Sequence, residues 1–102
     1  MALALSNTQT RYLRGLAHPI KPLLQVGAKG VTPSLLAELD QLLELHELIK
    51  AKVAAEDREA RAAMIQALVE GTGAALVQVI GHTAVLYKPS KDHAQIVLPK
   101  KK

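Results

Sequence analysis

Residues 23–43 read LLQVGAKGVTPSLLAELDQLL, and this stretch decides the fold. A short apolar run over residues 23–26 is typical of a strand, and a Gly-x-x-Gly loop follows it. Thr32 can cap a helix whose first residue is Pro33, where a missing N–H costs nothing. The buried stripe of that helix is predicted from the spacing of Leu35, Leu36, Leu39, Leu42 and Leu43.

Two further helices are predicted, one on each side of this stretch. Ser6 and Gln9 have the spacing of a capping box, which predicts a first helix over residues 7–18. The apolar stripe expected for it consists of Tyr12, Leu13, Leu16 and Ala17. Asp57 can cap a third helix, which ends near residue 70 at a glycine.

Three more strands complete the pattern. Residues 48–53 alternate, with Ile49 on one face and Lys50 and Lys52 on the other. Residues 75–80 and 83–87 form two strands joined by Gly81-His82, a link that suits a hairpin with a type II′ turn. The order αβαβαββ therefore predicts an α/β fold, a single compact domain with three helices and a four-stranded mixed sheet.

The composition excludes several classes of protein. The 102 residues allow one domain, and the absence of Cys excludes disulfide scaffolds, thiol nucleophiles and thiolate zinc sites. Two Tyr are the only aromatic residues, which argues against base-stacking sheets and barrels. Neither the histidines nor the serines have catalytic or metal-ligand partners at suitable spacing, so we predict no enzyme activity, no cofactor and no metal site. No targeting or membrane-spanning segment is visible, so we expect a cytoplasmic monomer.

Basic residues are distributed unevenly along the chain. Residues 1–31 contain four basic residues and no acid, residues 32–70 contain eight acids, and residues 71–102 contain one acid. The loop at residues 27–30 combines two glycines, one lysine and the start of a helix, which are the features that a clamp on a nucleic-acid backbone needs. KH domains use a GXXG loop for that purpose. A plain strand-to-helix turn and a solvated surface of mixed charge explain the same features.

Five blocks of this sequence resemble the CRM domain, named for chloroplast RNA splicing and ribosome maturation, and above all its stand-alone bacterial form, the YhbY family. These blocks are SNTQTRYLRGLAH from Ser6, PLLQVGAKG from Pro22, HELIK from His46, DRE from Asp57 and QVIGHTAVLYKP from Gln78. The resemblance implies a domain over residues 6–98, with a basic tail at 99–102, folded like the C-terminal domain of translation initiation factor 3. It also implies a non-enzymatic protein that binds RNA and associates with precursors of the large ribosomal subunit.

The candidate RNA-binding surface combines the loop with nearby basic side chains. Its residues are Gly27, Ala28, Lys29, Gly30, Arg11, Arg14, Lys21, Lys50 and Lys52. Ala60, Ala62 and Ala63 stand in the third helix where the family pattern leads us to expect polar or basic residues, which argues against RNA contact by that helix and leaves the question open. An adaptor that docks on a ribosomal protein through an apolar face is the alternative, and the steep salt dependence of RNA binding separates the two.

Overall fold

The computed structural model describes residues 5–27, 30–55, 57–90 and 96. Within them seven elements follow the predicted order: α1 (Asn7–Ala17), β1 (Leu24–Val26), α2 (Pro33–His46), β2 (Leu48–Val53), α3 (Arg58–Thr72), β3 (Ala75–Ile80) and β4 (Thr83–Tyr87). Ala28, Lys29 and the tail at 99–102 lie outside the described residues. None of the helices in the described part of the chain has the length and apolar character of a membrane span.

The three helix starts have the caps that the sequence predicts. Ser6 and Gln9 form a complete capping box at the start of α1. The side chains of Thr32 and Asp57 accept hydrogen bonds from the backbone N–H groups of Leu35 and Ala60. At the other end of α3, Gly73 takes the left-handed conformation and closes the helix. Local capping thus fixes where each helix begins.

The four strands form one mixed sheet in the order β1-β2-β4-β3. β1 and β2 are parallel, whereas β4 is antiparallel to both β2 and β3. In the hairpin turn, Gly81 has a φ of +57° and His82 has no positive φ, which is the sign pattern of a type II′ turn. The predicted α/β class, element order and mixed sheet are therefore confirmed.

The helices cover both faces of this sheet. α2 and α3 bury Ile49, Ala51 and Val53 on one face. On the other face, α1 packs over Leu48 and Tyr87. The alternation predicted for residues 48–53 is therefore confirmed, and Lys50 and Lys52 lie on the face of α1.

The apolar stripe predicted for α1 is wrong at two positions. Tyr12 and Leu16 are 43% and 38% exposed, and the buried residues are Gln9, Leu13 and Ala17. Their spacing of four residues gives a narrow contact line, because α1 packs on the sheet along one side only. The strand predicted over 23–26 begins one residue later, although the Leu23 N–H still donates to the Lys50 carbonyl at 3.0 Å.

Glu47, between α2 and β2, is a buried polar residue with several hydrogen-bond partners. It is 1% exposed and has a φ of +64°, which is unusual for a residue with a side chain. Its backbone N–H donates to the Leu43 carbonyl, and its carbonyl accepts from the Lys88 N–H. Its two carboxylate oxygens accept from the N–H groups of Ser90 and Ile96, each at 2.7 Å.

This carboxylate also acts on a buried tyrosine nearby. Burial raises the pKa of the Tyr87 phenol above its ordinary value, and the negative charge of Glu47 raises it further. Glu47 therefore joins the end of α2 to the strand end at Tyr87 and to the segment that follows it.

We expect Glu47→Gln to destabilise the fold by about 1–3 kcal/mol, because an amide has one acceptor oxygen where two buried N–H groups need one each. Urea denaturation measures the change. Glu38→Gln, at an exposed position of α2, is the control and should leave the midpoint unchanged. Equal midpoints for the two variants would contradict this role of the carboxylate.

Candidate nucleic-acid interface

Three connections meet at one end of the sheet. Because β1 and β2 are parallel, the loop after Val26 and the segment after Val53 leave the sheet at the same end. The Ala54 N–H donates to the Val26 carbonyl at 3.0 Å, and the Val53 N–H donates to the His82 carbonyl in the hairpin turn at 2.6 Å. We call this region, with Gly27, Gly30, Ala54 and His82, the loop end.

The two glycines of the Gly-x-x-Gly loop are joined by a hydrogen bond. The Gly30 N–H donates to the Gly27 carbonyl at 3.0 Å. Gly30 has a φ of +75°, whereas Gly27 has no positive φ. A Cβ built on Gly30 would lie 3.8 Å from the Met64 methyl, an ordinary contact, and one built on Gly27 would meet open space. The conformation of Gly30, not a lack of room, therefore requires glycine.

The two helix starts near the loop differ in charge. α2 has no acid in its first turn, and Pro33 has no N–H. The Leu35 N–H donates to the Thr32 side chain, at 3.1 Å from Oγ1. Of the N–H groups at this helix start, those of Thr32 and Ser34 therefore have no hydrogen-bond partner within the helix. α3 starts with the carboxylates of Asp57 and Glu59. An anion is therefore favoured at the start of α2 and disfavoured at the start of α3.

A line of lysines connects α1 to the loop end. The Lys50 ammonium lies 3.5 Å from the His18 carbonyl at the C-terminus of α1. Lys52 is exposed and lies two residues further along β2, about 7 Å closer to the loop. It pairs with Gln25 of β1, which is two residues before Gly27. We call Lys50 and Lys52 the lysine strip.

The remaining predicted cations are exposed and lie on α1 or just after it. Lys21 follows α1 closely, and Arg14 lies in its last turn. Arg11 lies seven residues before His18, about 10 Å further along the helix axis. The structure thus places Gly27, Gly30 and Lys52 at one end of the sheet, and Arg11 and Arg14 on α1. Lys29 and Ala28 lie outside the described residues.

Sequence reasoning missed one groove of the loop end. Its volume is about 580 Å³, its apolar lining includes Ala55, Ala60 and Met64, and Lys52, Asp57 and His82 add polar groups. Beside it, Arg61 Nη1 lies 3.1 Å from His82 Nδ1. These residues come from β2, α3 and the hairpin turn, and nothing in their spacing along the chain indicates that they meet.

Among the described residues, the titratable side chains do not form a metal centre. In residues 5–27, 30–55, 57–90 and 96, no group of three or more His, Asp or Glu side chains lies close enough to hold a metal ion. The arrangement at the loop end instead provides N–H groups, ammonium groups and an apolar groove, which can bind an anionic ligand with flat apolar parts.

We expect Gly30→Ala to destabilise the protein by about 1–2 kcal/mol, because a Cβ disfavours a left-handed backbone. Gly27→Ala is the matched control in the same loop and should leave the melting temperature unchanged. Thermal melts of the two variants measure the difference. Equal melting temperatures would show that the positive φ of Gly30 imposes no requirement for glycine.

Comparison with known proteins identifies the family of this chain. It is 50% identical over 97 residues to a Haemophilus influenzae protein named "RNA-binding protein", covering 95% of this chain and 97% of that one. It is 43% identical to the Bacillus subtilis "Probable RNA-binding protein YqeI", covering 93% and 99%. The solution structure of a hypothetical protein of Staphylococcus aureus, proposed to bind RNA, aligns with a TM-score of 0.80 and 40% identity over 94% of this chain and all of that one. The family model matches residues 5–88, and the chain therefore belongs to the CRS1 / YhbY (CRM) domain family.

Proposed function

We propose that this protein binds RNA through the loop end and the lysine strip, and that its target is ribosomal RNA in precursors of the large subunit. The observation that carries the proposal is the meeting of a Gly-x-x-Gly loop, an acid-free helix start and exposed Lys52 at one end of the sheet. The names of its relatives support RNA as the ligand. The resemblance to the YhbY family supports the ribosomal target.

The proposed contact is mainly to the RNA backbone. Gly30 and the start of α2 let phosphate oxygens approach N–H groups at the positive end of the helix dipole. The contact continues along the RNA backbone to Lys50 and Lys52, and then to Lys21, Arg14 and Arg11. Such contacts position an RNA without reading its sequence, and the protein acts by binding, without catalysis.

The alternative function, a protein-interaction adaptor, is favoured by a different surface. Leu76, Val79 and Ile80 of the edge strand β3 are 42%, 43% and 53% exposed. Leu76 and Val79 border a groove of about 380 Å³ between β3 and α3. Binding at this apolar surface would depend little on salt, so titration with salt separates it from binding of RNA.

We expect the affinity for structured RNA to fall with a log–log salt slope of roughly −2 to −4, which corresponds to three or four phosphate contacts. Lys52→Ala should reduce the size of this slope by about one. Lys88→Ala is the control, because Lys88 is paired with Asp40 at 3.2 Å. Fluorescence anisotropy titrations of the RNA, carried out from low to moderate salt, measure the affinity. An affinity that does not change with salt would favour the adaptor.

We expect the double substitution Ala28→Asp and Lys29→Asp to weaken RNA binding strongly, because one positive charge is lost and two negative charges appear near the phosphates. Lys29→Ala should be milder, since the backbone N–H groups and the helix dipole remain. The melting temperature should stay close to that of the wild type, because Asp tolerates turns. If the double variant melts and binds like the wild type, the loop is only a turn.

A further inference from the structure

We propose that the groove at the loop end accepts one unstacked RNA base. This inference rests on the proposed function and extends it from the RNA backbone to a base. The groove has a volume of about 580 Å³, within the usual range for small-molecule sites, and it is open to the outside. Its volume is thus large enough for a purine that leaves the stack of its neighbours.

The lining fits the flat face of a base. Ala55, Ala60 and Met64 present methyl groups and a thioether, and sulfur makes favourable contacts with aromatic rings. This chain has only two tyrosines, so it cannot build a row of stacking platforms. One groove lined by methionine and alanines can still remove a single base from water.

The polar groups of the groove match the edge of a base. Lys52 is a donor, and Asp57 has acceptor capacity beyond the Oδ1 bond to the Ala60 N–H. The Arg61 guanidinium can only donate, so a neutral His82 accepts at Nδ1 and carries its own proton on Nε2. Donors and an acceptor thus border an apolar site, as a heterocycle with both kinds of edge group requires.

The position of the groove connects it to the proposed backbone contact. A Cβ at Gly30 would lie 3.8 Å from the Met64 methyl, so the loop and the groove are adjacent. Lys52 belongs both to the groove and to the lysine strip. A nucleotide whose phosphate lies at the loop can therefore place its own base, or that of its neighbour, in the groove.

Ala60 also has a role under this proposal. A longer basic side chain there would extend into the groove, whereas alanine leaves its floor open. Alanine at this position thus leaves α3 without the basic side chain expected from the family pattern and provides space for a base.

The first test uses three RNA hairpins that differ at one position: a bulged adenosine, an abasic residue in the same bulge, and no bulge. At fixed salt the wild type should bind the bulged adenosine about fivefold more tightly than its abasic counterpart. Ala60→Leu should abolish this preference and leave the affinity for the abasic RNA unchanged. Ala63→Leu, at an exposed position of the same helix, is the matched control and should retain the preference.

The outcomes separate the two proposals. Equal affinity of the wild type for all three RNAs would overturn the base site and leave the proposed function standing. No affinity for any of them at low salt would overturn both. Retention of the preference in Ala60→Leu would place base recognition elsewhere and overturn the assignment of this groove.

A second measurement needs no variant. Adenosine, a nucleoside without phosphate, should shift the methyl resonances of Ala55, Ala60 and Met64 in NMR spectra of the wild-type protein, whereas ribose 5-phosphate should not. Ring-current shifts at these methyl groups would support the base site. Their absence at millimolar adenosine would overturn it.

Discussion

The buried carboxylate of Glu47 is the interaction on which the end of the domain opposite the loop end depends. It accepts hydrogen bonds from the backbone N–H groups of Ser90 and Ile96, which lie more than forty positions away. The backbone of Glu47 also joins α2 to the segment after β4. A φ of +64° costs of the order of 1–3 kcal/mol, which these hydrogen bonds offset. These contacts fix the end of the sheet opposite the loop end.

The charge pattern follows the same division. α2 runs from the loop end, where its first turn has no acid, to the Glu47 end, where Glu44 bonds to Ser90 and Asp40 pairs with Lys88. Part of the acidic middle third of the chain is thus used in contacts away from the loop. The macrodipole of α2 has the same direction, positive at the loop. Helix polarity and formal charge therefore both favour an anion at the start of α2.

Local signals in the sequence predict most of the fold, and contacts between distant residues account for the rest. The caps at Ser6, Thr32 and Asp57 and the glycine hairpin are short patterns, and the structure confirms them. The exposure of Tyr12 and Leu16 depends on which side of α1 meets the sheet, and periodicity alone does not determine that. The pair of Arg61 and His82 forms because the order β1-β2-β4-β3 brings the hairpin turn beside α3, and such a pair leaves no pattern in the sequence.

The two kinds of RNA contact proposed for the loop end perform different tasks. Contacts of the lysine strip and the start of α2 with phosphates supply affinity that any RNA can use and that salt weakens. A base in the groove of Ala60 and Met64 would add binding free energy only where its nucleotide can leave the stack. Nucleotides in paired RNA leave the stack less readily. Together they favour an RNA whose backbone follows the surface and which has one unpaired base at the loop. Under these two proposals, such a combination would distinguish incompletely folded RNA from regular duplex without reading a sequence.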